Sequence, residues 1–295
     1  MTEVKPLSGF LNILKPPGMS SHDVVGFVRR VLHTKKVGHA GTLDPAAAGV
    51  LTIAVGNATR LIEYLELTDK TYRAEIRLGI ATDSGDDTGR ILTRQADWSD
   101  FDRSTLEKTL MQFTGKIRQT PPAHSAIKIN GQKACDLLRA GKVVEVPSRE
   151  VTIYRLELLA YSHDMLLIDA DCSKGTYIRS LCQDIGRALG IPATMAFLLR
   201  RRVGDFSVEH ALTLEELAVS GADALLAAED FLSGMQRFDL NPKREKAFCN
   251  GLSSTVRNFT AETGNLRVFA DGHFIGIGRY DKEKEELLPV KVIGR

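Results

Sequence analysis

The first hydrophobic run of the chain, GFLNILK at residues 9–15, is stopped by Pro16, Pro17 and Gly18, and predicts a strand followed by a turn. Next, SSHDVVGFVRRVLHT sets Val24, Val25, Phe27, Val28, Val31 and Leu32 on a 3.6-residue period behind a serine cap. That spacing predicts a helix with one apolar face and with Arg29 and Arg30 near its exposed side. VLTIAVG, residues 50–56, is a continuous apolar run of strand length and predicts a buried strand. KTYRAEIRLGIAT alternates Tyr72, Ala74, Ile76 and Leu78 with Arg73, Glu75 and Arg77, the period of a half-buried strand.

Further along, DSGDDTGR reads as a polar turn, and STLEKTLMQFTGKI as a helix ending at Gly115. The segment from about 113 to 150 has turn signals at Pro121-Pro122 and Asn130-Gly131 and carries Arg118, Lys128, Lys133, Arg139, Lys142 and Arg149. It reads as a cation-bearing insertion lying on the surface. REVTIYRLELLAYS and MLLIDADCS predict two strands, and KGTYIRSLCQDIGRALG a turn and a helix to Gly190. A strand in FLLRRRVGDFSV and a helix in TLEELAVSGADALL follow. Composition shifts near residue 235, and the remainder holds short, glycine-punctuated strands. The expected organisation is an α/β domain over residues 1–235 and a small β-rich domain over 236–295.

Lys and Arg number 39 against 37 Asp and Glu, so net charge alone makes no case for a polyanionic partner. Distribution does change the picture. Between Leu11 and Arg60 six cations, among them Lys15, Arg29, Arg30, Lys35 and Lys36, stand against only Asp23 and Asp44. Arg200, Arg201 and Arg202 form a second cluster, and together these suggest a basic face, although solvated surface charge would produce the same runs. Cys135, Cys172, Cys182 and Cys249 never fall in a C-x-x-C spacing, which indicates neither a zinc site nor a disulfide framework. With no apolar run of signal-peptide or membrane-spanning length, a reducing cytoplasm is the expected compartment.

VGHAGTLDPAAAGVLTIAVG, residues 37–56, carries a single acid, Asp44, with His39 five residues before it. Asp followed by Pro45 and three alanines reads as a helix N-cap with proline at the first helical position. The same acid could instead be a reagent aimed out of a glycine-rich turn.

Five segments, in order, bear on that choice. HTKKVGHAGTLDPAAAGVL resembles the G-H-x-G-x-L-D-P signature of the TruB family of pseudouridine synthases. LNILKPPGMSSHDVV resembles that family's K-P-x-G-x-T-S motif, with Ser20 at the threonine. DKTYRAEIRLGIATDSGDDTG resembles its K-x-Y-x-x-x-x-x-L-G-x-x-T-D-T motif, with Ser84 in the last place, and CSKGTYIRSLCQDIGRALG carries K-G-T-Y-I-R-S-L intact. TPPAHSAIKINGQKACDLLRAG is similar to its surface loop, with His124 and Cys135 where aromatics are usual. LLRRRVGDF matches L-R-R-T-x-x-G-x-F with Arg201 in place of threonine, a register that selects Leu198 over Leu199 by its spacing to Gly204.

The resemblance implies the pseudouridine synthase fold, a mixed and mainly antiparallel sheet flanked by helices, with a PUA-like C-terminal module. It implies stand-alone isomerisation of uridine 55 in the TΨC arm of transfer RNA, with no cofactor, no metal and no obligatory protein partner, by a chain with no place in a membrane. Asp44 corresponds to the catalytic aspartate, as nucleophile or as base, Arg179 to its catalytic partner, and Tyr72 to the catalytic tyrosine that stacks on the target base and whose phenol is expected to take part in removing the C5 proton. His39, Tyr177 and Leu198 correspond to residues that hold or wall the flipped nucleotide. Lys15, Arg29, Arg30, Lys35, Lys36, Lys128 and Arg202 are the expected contacts to the RNA backbone. The rival readings are a guide-RNA-dependent synthase of the same superfamily, a non-catalytic RNA-binding or RNA-folding protein, and a hydrolase that uses Asp44 on a nucleoside.

Overall fold

The computed structural model of the chain describes residues 7–122, 128–129, 131–133, 137, 146–257 and 259–293, without the side chains of 128, 129 and 133. Gly9–Lys15 forms β1. Ser21–Val31 forms α1 behind a capping box: the Ser20 hydroxyl accepts from the Asp23 amide, and the Asp23 carboxylate accepts from the Ser20 amide at 2.8 Å. Val37–Ala40 (β2) pairs with Ala48–Val55 (β3), and a 3-10 turn at Gly56–Leu61 leads into the short helix Ile62–Glu66 (α2). The alternating stretch then divides. Lys70–Leu78 (β4) ends at Gly79, whose φ of +80° and packing against the Trp98 ring leave no room for a side chain. Ile80–Thr82 (β5) turns away to pair with Ile91–Arg94 (β6).

Arg103–Met111 (α3), capped by Asp102, leads to Gly115–Gln119 (β7), and Lys128–Ile129 (β8) pairs with Gln132–Lys133 (β9). Arg149–Tyr161 (β10) and Met165–Cys172 (β11) follow. Ile178–Leu189 (α4) is closed by Gly190 in the left-handed conformation, and Ala193–Val203 (β12) and Phe206–Ser207 (β13) return to the sheet. Leu214–Ser220 (α5) begins with a second capping box, between Thr213 and Glu216. The C-terminal part comprises Arg237–Leu240 (β14), Glu245–Cys249 (α6), Ser254–Thr255 (β15), Gly264–Ala270 (β16), His273–Asp281 (β17) and Glu286–Val292 (β18).

Nine strands make the main sheet, in the order β1-β3-β12-β4-β11-β10-β7 with β2 beside β3 and β13 beside β12; among the described residues only β3 and β12 run parallel within it. Helices α3 and α4 bury their apolar stripes, Leu106, Leu110, Leu181 and Ile185, against Ala74, Ile76, Ile168 and Ala170. At the other end Leu51 and Ile53 of β3 pack with Val24 and Val28 of α1, while Val50 and Ala54 face a separate cluster with Phe10, Leu61 and Phe206. Both faces of β3 are therefore covered, which is why its sequence is one apolar run without alternation.

The remaining sheet, β14-β16-β17-β18-β15, has its own core of Leu240, Phe248, Leu266, Val268, Tyr280 and Leu287. It is fastened to the main body. Ile277 and Ile293 enter the cluster of Phe10 and Val50, and Asn57 and Arg60 donate to the carbonyls of Ile293 and Val292.

Three expectations need correction. Residues 45–47 form no helix: Pro45 and Ala46 are the corner of a turn closed by the Ala47 amide on the Asp44 carbonyl at 3.1 Å. Pairing of Ala48–Val55 into the sheet overrides the helix signal of D-P-A-A-A. The ends of the expected surface insertion are sheet, since Gly115–Gln119 pairs with Arg149–Ile153. Helix α5 stops at Ser220, where Gly221 takes φ +54°.

Candidate active site

Asp44 sits on the loop between β2 and β3, and that loop is tied to the start of α1 from two sides. The Ser21 hydroxyl accepts from the Leu43 amide at 2.9 Å and donates to the Leu43 carbonyl at 3.1 Å. On the other side of Asp44, the Pro45 carbonyl accepts from the Gly18 amide at 2.8 Å and from Lys15 Nζ at 3.2 Å. Lys15 is fully buried, and its ammonium also reaches the carbonyls of Pro16 and Met19. Burial pulls its pKa down to about 8, against the opposing pull of Asp44. Lys15 was expected on the RNA backbone; enclosed by three carbonyls, it braces the Asp44 loop and offers no charge to a phosphate.

The Asp44 carboxylate, 38% exposed, lies 3.2 Å from Arg179 Nε on the first turn of α4. Arg179 is 7% exposed and reaches a second acid, with Nη1 3.6 Å from Asp86 and a bond to the Ser84 carbonyl at 3.0 Å. Asp86 is itself held by the hydroxyls of Ser84 and Thr88, each at 2.6 Å. Burial pushes its carboxyl up, but those hydroxyls and Arg179 outweigh burial and leave it below the usual range. A buried guanidinium between two carboxylates is directed and electrically compensated, so Asp44 is aimed by a fixed partner.

Tyr72 on β4 is half-buried, and Arg200 on β12 is its facing residue across the strand pair. Arg200 is 2% exposed; it donates to the carbonyls of Val50 at 2.8 Å, Gly41 at 3.0 Å and Thr42 at 3.4 Å, and its charge acts on the Tyr72 phenol. The approach of its backbone to β3 depends on Gly49, at φ +115°, where a Cβ would stand 2.2 Å from the Arg200 carbonyl. Burial raises the Tyr72 phenol pKa above its ordinary value while Arg200 opposes the rise. Leu198, two residues before Arg200, is buried in the cluster of Leu43, Ala47 and Ile178, against which Tyr72 packs.

His39 on β2 is half-buried, its Nδ1 enclosed with no hydrogen-bond partner among the described residues, and burial together with Arg200 lowers its pKa. The ring is therefore neutral near pH 7. Tyr177 is the residue before α4, its ring 5.0 Å from the Arg149 guanidinium. Of the expected backbone cations, Arg29, Arg30, Lys35 and Lys36 are exposed; Arg29 bonds to the Val37 carbonyl, Arg30 lies over Phe27, and Lys36 bonds to Asn57. Arg202 is half-buried and tied to Thr71 and the Gly204 carbonyl. The Lys128 side chain, like Arg139, Lys142, His124 and Cys135, lies outside the described residues.

Sequence reasoning passed over Asp86, Arg200 and Gln119. A signal exists for the first two. Ser84 and Thr88 flank Asp86 at two residues on each side, the spacing of side-chain bonded turns. Arg200 shares a strand face with Leu198, so period two places it inward despite its charge. No group of His, Cys, Asp or Glu with metal-binding geometry occurs among the described residues, and none of their helices is long and apolar enough to cross a membrane.

Residues 29–178 match the family described as TruB family pseudouridylate synthase (N terminal domain), and residues 179–232 match the tRNA pseudouridylate synthase B C-terminal domain. A tRNA pseudouridine synthase B of Caldanaerobacter subterraneus subsp. tengcongensis is 43% identical over 94% of this chain and 97% of its own length. The protein of the same name from Clostridioides difficile is 39% identical over 95% and 97%. Among solved structures, an H/ACA RNP bound to a substrate RNA containing 2′-deoxyuridine includes a chain similar at TM-score 0.74 and 23% identity. That likeness covers 97% of this chain and 85% of the other, and at this identity it speaks for the fold.

Proposed function

This chain belongs to the TruB family of pseudouridylate synthases, and from that premise we infer that it converts uridine 55 in the TΨC loop of tRNA to pseudouridine without a guide RNA. The observation that carries the reading is Asp44: a partly exposed carboxylate on a braced turn, 3.2 Å from a buried arginine and beside an apolar wall. The reaction breaks the bond between C1′ and N1, turns the uracil and joins C1′ to C5; C5 gives up its proton, N1 regains one, and nothing is consumed. It needs an anion next to the sugar and an enclosure that keeps the detached base from leaving.

Asp44 supplies the anion, as nucleophile at C1′ or as base at C2′, and Arg179 holds its direction. Tyr72 stacks on the target base, with its phenol kept protonated by burial, and Leu198 and Tyr177 wall the pocket. Taking the nucleotide out of its stack costs on the order of a few kcal/mol. The neutral His39 ring, with an unused nitrogen, fills and holds the vacated place. Arg29, Arg30, Lys35 and Lys36 contact phosphates and fix register, while loop shape and splayed bases supply recognition. Residues 1–235 are the catalytic unit and 236–295 a PUA-like module, and the enzyme works in the cytoplasm with no obligatory protein partner.

Chemical mapping of pseudouridine in tRNA and in a bare T-arm stem-loop tests this. Purified wild-type protein should modify both with no uracil released, and Asp44→Asn should bind RNA while forming no pseudouridine. A strict need for guide RNA, or full activity in Asp44→Asn, refutes it.

A further inference from the structure

Helix α4 begins without a capping side chain of its own, although its first turn carries Arg179. The turn is held from the far edge of the sheet. Gln119, the last residue of β7 and 1% exposed, donates from Nε2 to the Tyr177 carbonyl at 2.9 Å and accepts the Tyr177 amide on Oε1 at 2.7 Å. Its side-chain amide thus stands in for a neighbouring strand, using donor and acceptor together on one residue. Thr120 accepts from the Ser180 hydroxyl at 2.8 Å, one residue beyond Arg179.

Arg149 completes the grip. It is the residue paired with Gln119 across β7 and β10, its guanidinium lies 5.0 Å from the Tyr177 ring centroid, and it donates to the Gly175 carbonyl. One cross-strand pair therefore fixes Tyr177 twice, Gln119 by its backbone and Arg149 by its ring. These residues also terminate the segment from 120 to 148, so the strand ends that bound it are the ones that hold the turn.

We propose that Gln119 and Arg149 are positioning residues of the reaction: they set Tyr177 against the substrate and, two residues on, set the Arg179 guanidinium against Asp44. The proposal rests on the roles given above to Tyr177 and Arg179. A guanidinium displaced by an ångström no longer directs the carboxylate, and misplacement of that size costs up to about a hundredfold in rate. Binding of RNA through exposed cations is untouched by it.

The test measures kcat, KM, tRNA affinity and thermal midpoint for Gln119→Met, Gln119→Glu, Arg149→Met and Arg179→Lys. Gln119→Met, close to glutamine in length but with neither hydrogen bond, should lose about ten- to a hundredfold in kcat with KM and tRNA affinity within about threefold of wild type. Arg149→Met should lose less, since the backbone clamp survives. Gln119→Glu should recover, relative to wild type, as pH falls, because a protonated carboxyl donates where glutamine did; Gln119→Met should show no such recovery. A wild-type kcat in Gln119→Met overturns the proposal, as does a loss that tracks a melting point near the assay temperature and vanishes on cooling. If Arg179→Lys itself keeps full kcat, the reading of the site fails, whatever Gln119 does. If Arg179→Lys is impaired and Gln119→Met is not, only the present inference fails.

Discussion

Tyr72 and Arg200 face one another across β4 and β12, and the buried guanidinium of the second acts electrostatically on the phenol of the first while holding the carbonyls of Gly41, Thr42 and Val50. One buried side chain, on the strand paired with β4, thus holds the two ends of the Asp44 loop. Arg200→Met strands those carbonyls without donors. Unfolding in urea should show a loss of about 3 kcal/mol or more, and Arg200→Lys should recover only part of it, since an ammonium lacks the flat fork that reaches several acceptors. Unchanged stability in Arg200→Met would refute this account of the residue.

Asp86 and Asp44 share Arg179, but only Asp44 is exposed enough to meet substrate. Asp86→Asn should lower kcat about ten- to a hundredfold with tRNA affinity retained. Stability should respond too. The folded protein holds this carboxyl below its ordinary 3.8, so its stabilisation is present above that value and lost as pH falls through the folded one. The melting-point gap between wild type and Asp86→Asn should stay level from neutrality to about pH 4 and close below it.

Burial of Lys15 separates it from the other cations near the loop. The slope of log affinity for tRNA against log salt should be the same in Lys15→Met as in wild type, while Arg30→Ala and Lys35→Ala should each shallow it by roughly 0.7 to 0.9 for every phosphate left without its cation. Equal slopes for all three would remove the phosphate roles given to Arg30 and Lys35.

Lys15 also makes stability depend on pH in the alkaline range. Its folded pKa of about 8 lies below the ordinary 10.5, so between these values the unfolded chain binds more protons and stability rises with pH; below 8 the cost of burying the charge is fully present. Differential scanning calorimetry should find the wild-type melting point gaining on that of Lys15→Met between about pH 7.5 and pH 9.5. A gap that narrows with pH would reverse the sign and refute the assignment.

Much of this architecture is legible in the sequence because local and long-range preferences agree there. The capping box at Ser20 and Asp23, the alternation through Tyr72 and the unbroken run of β3 each satisfy one period and one burial pattern. They conflict at Asp44, where D-P-A-A-A signals a helix start and the pairing of β3 with β1, β2 and β12 pulls the next residues into a sheet. Lys15 and Arg200 mislead for another reason: charge predicts solvent, and both are buried because clusters of carbonyls take the place of water. Gln119 gives no local sign, as its partner lies 58 residues away. The juxtaposition of Asp44 and Arg179 spans a greater separation still, and only motif resemblance suggests it.

The cluster that unites Phe10 of the first strand with Ile277 and Ile293 sets an order of events during biosynthesis. A ribosome making roughly 5–20 residues per second releases the first strand tens of seconds before the last arrives. Throughout that interval the apolar face of Phe10, Val50 and Leu61 lacks its final cover. Nascent chains stalled between the codons for Ile277 and Ile293 should therefore hold chaperones, and messages truncated there should yield protein that is degraded, even though every residue around Asp44 has already been made.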